Sequence, residues 1–286
     1  MNVQRLDAAP PLTRLYARAA ITATGRRGDQ LPDVSYELAD VTIDRAHLAS
    51  YQEVCGFRHD DQLPPTYPHV LGFPLAAKLM VEPAFPFALP GMVHLQNRIT
   101  QQRPILADEM LAVRVHATNL REHPRGRQFD MITEASVGSE LVWSETSTYL
   151  RRERRGPRSS SSPAPTSPEP AAEAEGGGRS IWRVPADTGR RYAAVSGDVN
   201  PIHLNPLVAR LFGFRRAIVH GMWLKARCLA ALEGRLPDHL AVDVEFKSPL
   251  LLPSTVDLTT QATGNGWSFA VADRRSGRPH LIGKTD

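Results

Sequence analysis

The chain repeats itself. Sliding the first half forward by 141 positions lays YQEVCGFRHDDQLPPTYPHVLGF (51–73) on YAAVSGDVNPIHLNPLVARLFGF (192–214) without a gap. Tyr51, Val54, Gly56, Leu63, Pro65, Gly72 and Phe73 then meet identical residues. At an offset of 145, HLQNRITQQRPIL (94–106) meets HLAVDVEFKSPLL (239–251) at His-Leu, Pro and Leu. Two blocks kept in order at nearly one spacing indicate a duplicated domain. With 286 residues there is room for two such units.

Between the repeats the composition changes. RRERRGPR (151–158) leads into SSSSPAPTSPEPAAEAEGGG (159–178), which has no hydrophobic period. Such a stretch cannot bury enough apolar surface to offset the entropy of ordering it. We expect an N-terminal domain over 1–150, a flexible linker over 151–180 and a C-terminal domain over 181–286. The net charge of +4 hints weakly at acidic partners. The arginine run has none of the interleaved aromatic residues that stack on bases, so nucleic acid is not expected as a partner. There is no run of 18 apolar residues and no uninterrupted apolar core near the N-terminus, so neither a membrane span nor a secretory signal is expected. Cys55 and Cys228 stand far apart and form no CxxC, which argues against a disulfide framework or zinc knuckle and for a reducing cytoplasm.

Each repeat reads as helix followed by strands. Asn205 is placed to cap a helix opened by Pro206, with Leu207, Val208, Leu211 and Phe212 as its apolar stripe and Gly213 as its stop. A longer helix is expected over 222–232. Alternation then predicts strands in HLAVDVEFKSP, STVDLTTQA and WSFAVAD, and in LAVRVHA, RQFDMITEASV and LVWSETSTYL of the first half. Wrapping each antiparallel sheet around its long helix buries both apolar faces.

The repeats differ where chemistry is expected. Under the ungapped alignment Asp198 faces Phe57 and His203 faces Gln62, whereas Tyr, Gly, Pro and Gly-Phe are shared. Residues needed for the fold should persist in both copies, so the ionisable pair is a candidate for function. Gly197 permits a tight turn before Asp198, Pro201 stiffens the backbone before His203, and Asn200 is suited to bond its own loop. Taken singly, Asp198 could be a turn residue and His203 a structural histidine.

YAAVSGDVNPIHLNPLVARLFGFRRAIVHGM resembles the signature of the MaoC-like (R)-specific enoyl-thioester hydratases and dehydratases, through Ser-Gly-Asp, Asn-Pro, His, Asn-Pro, Gly-Phe and His-Gly-Met. The whole chain is similar to their two-hot-dog bacterial members, with a degenerate first copy and a catalytic second one. The resemblance implies an α+β double hot-dog fold, two repeats each with a central helix wrapped by an antiparallel β-sheet. It implies reversible dehydration of (R)-3-hydroxyacyl thioesters on coenzyme A or acyl carrier protein in fatty-acid metabolism. No cofactor beyond the substrate's own phosphopantetheine and no metal is expected, and the chain is expected as a monomeric double hot dog or a homodimer.

Hydration of an enoyl thioester needs groups to move protons at C3 and C2 and a donor for the thioester oxygen. The resemblance puts Asp198 and His203 on a shared water as the catalytic pair. It puts the Gly221 amide on the thioester oxygen, with Ser196, Asn200 and Met222 beside the substrate. Burial is expected to raise the Asp198 pKa and lower that of His203. For His220 a backbone-bonding role is favoured over catalysis, and a zinc site on His203 and His220 lacks a third ligand at useful sequence spacing. Arg215, Arg216, Lys225 and Lys247 are either solvated charges or contacts for coenzyme A phosphates or an acidic carrier. Phe85 to Gly91 either lines an acyl tunnel or belongs to the core. A hot-dog thioesterase and a non-catalytic acyl-thioester-binding module are the alternative functions.

Overall fold

A computed structural model describes residues 1–21, 26, 28–89, 91–153 and 177–286 of the chain. Residues 154–176 of the linker expected over 151–180 lie outside the described residues, whereas its ends, 151–152 and 178–180, are strand rather than linker. The first half runs β1 (Asn2–Leu6), α1 (Leu12–Ile21), β2 (Val34–Val41), α2 (Arg45–Cys55) and α3 (Tyr67–Val81). It continues through β3 (Met92–Gln101), β4 (Leu111–His123), β5 (Gly126–Val137) and β6 (Glu140–Arg152). The second half runs β7 (Gly178–Val184), α4 (Thr188–Ser196), α5 (Pro201–Leu204), α6 (Pro206–Leu211) and α7 (Gly221–Ala231). It ends with β8 (Leu240–Phe246), β9 (Ser254–Ala262), β10 (Trp267–Asp273) and β11 (Pro279–Thr285).

All these strands belong to one sheet, in the order β1-β2-β4-β5-β6-β3-β8-β11-β10-β9-β7. Every neighbouring pair is antiparallel except β1 and β2. The halves join edge to edge through β3 and β8, so neither central edge is left open. Helix α7 contributes buried Met222, Leu224, Cys228 and Leu229 to a core shared with Val242, Val244, Val256 and Leu258 of its own sheet. That core also includes Tyr51, Cys55 and Trp143 from the first half.

The duplication is visible in the packing. On the β3–β8 seam Arg98 pairs with Asp243, its own counterpart at the offset of 145, and their side chains form an ion pair at 3.1 Å. Tyr51 and Tyr192, counterparts at the offset of 141, are both buried with ring centroids 6.3 Å apart. Counterparts that face each other lie on a two-fold relation between the halves. A true two-fold dimer would set like against like there, whereas a duplicated chain can set Arg against Asp. Helices α2 and α4 also end alike, with Gly56 (φ 79°) and Gly197 (φ 70°) in the left-handed region.

Some sequence expectations do not survive. The matches of Gly72 and Phe73 with Gly213 and Phe214 are not structural equivalences. Gly72 and Phe73 sit inside α3, while Gly213 (φ 86°) and Phe214 follow α6 in an added turn. Phe214 is half-buried and lines a cavity rather than the core. Asn205 does cap α6, its Oδ1 accepting from the amides of Leu207 and Val208. The expected stripe is not buried, however: Leu207, Leu211 and Phe212 are 67%, 85% and 43% exposed, because α6 packs through Ala209 instead. Phe85, Phe87 and Ala88 are core, the two rings packing around Phe129. Lys225 is no phosphate contact. It is fully buried on α7, held by the side chain of Asn97 and the Val242 carbonyl, and burial brings its pKa down to about 7.

Candidate active site

The segment between α4 and α5 is stitched to itself. Gly197 turns the chain out of α4 with its amide on the Ala193 carbonyl at 2.9 Å. The Asp198 amide then donates to Ser196 Oγ at 3.2 Å, and the Asn200 amide donates to Asp198 Oδ1 at 3.2 Å. Asn200 caps α5 by accepting from the Ile202 amide at 3.4 Å, with Pro201 in the first helical position. These local bonds hold Asp198 at the start of the turn and His203 near the end of α5.

A second set of contacts fixes the histidines. His203 Nδ1 lies 2.8 Å from the Ile218 carbonyl, which can only accept, so Nδ1 carries the proton and Nε2 keeps its lone pair. His220 Nε2 donates to the backbone carbonyl of Asp198 at 3.0 Å, and its ring stacks on that of His203 with centroids 3.7 Å apart. His220 thus bonds backbone, of the Asp198 turn rather than of its own helix start. From behind, Gly189 lets α4 approach this pair: a Cβ there would lie 2.1 Å from the His203 carbonyl oxygen. Gly189→Ala is expected to cost about 1–3 kcal/mol of stability through overpacking and to displace His203. Thermal melting beside Gly264→Ala, whose added methyl would meet nothing within 4 Å, checks this.

Asp198, His203 and His220 each place a polar side-chain atom within 4.8 Å of the others. They lie on a cavity of about 500 Å³ that also reaches Gly221, Met222 and Phe214. Ser196 and Asn200 line it as well, so the structure brings together all six residues singled out in the sequence. The Asp198 side chain keeps 26% of its surface open, against 3% for His220. Gly221 heads α7, where the first amides have no partner within the helix and His220 supplies no side-chain cap. A side chain at Gly221 would press on the Phe246 ring, with its Cβ 2.9 Å from Cε1.

Electrostatics differ from expectation at one residue. Burial raises the Asp198 carboxyl, but the neighbouring imidazoles of His220 and His203, the Tyr16 hydroxyl and the Asn200 amide outweigh it and hold the pKa below the ordinary carboxylate value. The expected increase is therefore reversed. Burial lowers His203, and it brings His220 down to about 3 with help from His203. At neutral pH the site holds an aspartate beside two neutral imidazoles.

Asp198 supplies in space the third group that His203 and His220 lack in sequence spacing. His203 Nδ1 and His220 Nε2 are each engaged by a backbone carbonyl, and the two rings stack at an interplanar angle of 26°.

One contact was absent from the sequence reading. Tyr16, on α1, donates its hydroxyl to Asp198 Oδ1 at 2.6 Å across 182 positions of chain. Leu12, Leu15, Tyr16 and Ala19 follow the i, i+3, i+4, i+7 pattern of an amphipathic helix, which was the available signal.

A family model described as a MaoC like domain matches residues 165–279. The 3-hydroxyacyl-thioester dehydratase X of Mycobacterium tuberculosis (strain ATCC 25618 / H37Rv) is 40% identical over 271 residues, covering 93% of this chain and 94% of that protein. The chain belongs to the MaoC-like dehydratase family. A solved structure of HtdX from Mycobacterium tuberculosis covers 87% of this MaoC-like chain and 98% of its own, at 40% identity and a TM-score of 0.77. A second Mycobacterium tuberculosis protein, described as having a double hot-dog fold, matches 93% of this chain and 96% of its own with a TM-score of 0.57. At 13% identity that likeness concerns the fold, which is the double hot dog expected from the sequence. An (R)-specific enoyl-CoA hydratase of Aeromonas caviae is 36% identical over 76 residues, 25% of this chain and 57% of that protein.

Proposed function

We propose that this chain is a hydro-lyase that reversibly dehydrates (R)-3-hydroxyacyl thioesters to trans-2-enoyl thioesters in fatty-acid metabolism. The observation that carries this reading is the aspartate–imidazole pair within 4.8 Å on a cavity that Gly221, the first residue of α7, also lines. A spacing of that size lets one water bond both groups at once. In hydration, the water oxygen bonds to C3 while the aspartate–imidazole pair takes a proton from that water. The pair delivers the same proton to C2, where the π electrons of the enoyl double bond form the new C–H bond. Because the groups are coupled, they titrate as a pair, and either can hold the proton at a given stage. His203 is equipped for this by its free Nε2, and Asp198 by an oxygen that neither Tyr16 nor Asn200 engages.

The Gly221 amide stabilises the negative charge that develops on the thioester oxygen, an interaction commonly worth about 3 kcal/mol in the transition state. Ser196 and Asn200 hold the Asp198 turn, and Met222 shapes the acyl end of the cavity. Coenzyme A or acyl carrier protein carries the acyl group, and the chain needs no further cofactor. One chain supplies both hot-dog units, so it works as a monomer or a homodimer. The two cysteines are free and buried, which fits a cytoplasmic setting. No described helix is long and apolar enough to cross a membrane.

Supplying (R)-3-hydroxybutyryl-CoA tests the reading: enoyl absorbance should appear with no free thiol. Release of free coenzyme A instead would make the chain a thioesterase. Acidity provides a further expectation. Neutral His203 and ionised Asp198 are the working forms, and both pKa values lie below their ordinary ones. Lowering a pKa extends the unprotonated form to lower pH, so the acid limb of kcat/KM should fall below pH 6.5. An acid limb above that value would contradict the assignment.

A further inference from the structure

The amino-terminal helix belongs to neither hot-dog core, yet it reaches the catalytic turn. Leu15 and Ala19, four residues apart, anchor α1 on Ala77 and Val81 of α3 in a small cluster of their own. Leu12 and Tyr16, also four apart, meet the turn that carries Asp198. Leu12 closes against Gly197, where an added Cβ would lie 2.3 Å from Leu12 Cδ1. Tyr16 reaches the carboxylate itself. The 2.6 Å bond falls in the range of a charge-assisted hydroxyl–carboxylate bond. Its effect on the two carboxylate oxygens is unequal. Oδ1 accepts from both Tyr16 and the Asn200 amide, whereas Oδ2 lies 3.8 Å from His220 Nε2, beyond a hydrogen bond.

We propose that Tyr16 is a positioning residue for the reaction: its hydroxyl engages Oδ1 of Asp198 and leaves Oδ2 as the oxygen presented to the reacting water. The first half therefore completes the site as well as supporting it, and it does so from a segment outside the 165–279 region of the family model. In the first copy, Phe57 stands at the position of Asp198 and is buried. The proposal rests on the hydro-lyase reading of the site. Tyr16 stays protonated, because burial and the adjacent carboxylate both push its pKa up, so it remains a donor throughout the working range. The other groups facing Asp198 are His203 from α5, His220 at the head of α7, Tyr192 from α4 and Tyr149 from β6. Neither tyrosine hydroxyl among these last two bonds the carboxylate among the described contacts.

Tyr16→Phe keeps the ring and removes the donor. With crotonyl-CoA as substrate, kcat should fall about tenfold with KM nearly unchanged, the scale of one hydrogen bond to a charged group. The acid limb should move to higher pH, because a lost donor raises the Asp198 pKa. The melting temperature should stay close to that of the unmodified chain. A readout free of turnover is the titration of carboxyl-labelled aspartate by carbon NMR, with Asp198 assigned by the signal lost in Asp198→Asn. Its midpoint should rise in Tyr16→Phe. An unmoved midpoint and acid limb would overturn the proposal while leaving the hydro-lyase reading intact. An unmodified chain that hydrates no enoyl thioester would overturn both.

Discussion

Asp198→Asn is expected to lower kcat/KM for crotonyl-CoA by about a hundredfold to ten-thousandfold, the range of general acid–base catalysis. The substitution is nearly isosteric. An asparagine oxygen can still accept from the Tyr16 hydroxyl and the Asn200 amide, so the turn should keep its shape. What disappears is the charge and the capacity to take a proton. Binding of the substrate is largely unaffected in this account, so the loss should appear in kcat. Steady-state kinetics together with a melting curve checks it. A variant with near-normal kcat would mean that Asp198 is only a turn residue, the plain reading of a Gly-Asp pair.

His203→Ala should abolish activity to a similar extent but for a compound reason, and stability should suffer too. The imidazole is both the neutral proton carrier and a structural tie. Its Nδ1–H satisfies the Ile218 carbonyl, and its ring fills the space beside His220. Truncation leaves that buried carbonyl without its partner, at about 1–3 kcal/mol. Denaturant unfolding of His203→Ala beside Asp198→Asn should therefore separate the two roles. Both variants lose turnover, but only the histidine variant loses stability. If His203→Ala retained turnover, the proton chemistry would belong elsewhere, and His220 with its unpartnered Nδ1 would be the next candidate.

Much of this was legible in the sequence because local rules and tertiary packing agree there. STVDLTTQA and WSFAVAD alternate cleanly, and β9 and β10 have the expected bounds. Asn205–Pro206 reads as a helix start and is one. The asymmetry between the copies pointed to Asp198 and His203 because their counterparts, Phe57 and Gln62, carry no acid or base. Other features lay beyond local pattern. The apolar residues of α6 look like a core stripe, yet a six-residue helix on the outside of the molecule buries only Ala209. The direction of the Asp198 pKa depends on groups from α1, α5 and α7, so burial alone gave the wrong sign. Tyr16 was hidden for the same reason. Its helical pattern is readable, but nothing near residue 16 reveals a carboxylate 182 positions away.

The most direct measurement is hydration of crotonyl-CoA by the full chain, followed by loss of enoyl absorbance and by the configuration of the product. The account predicts rapid formation of (R)-3-hydroxybutyryl-CoA with the thioester intact. An (S) or racemic product, or no hydration of crotonyl-CoA, of a longer enoyl-CoA or of a carrier-bound enoyl thioester, would contradict it.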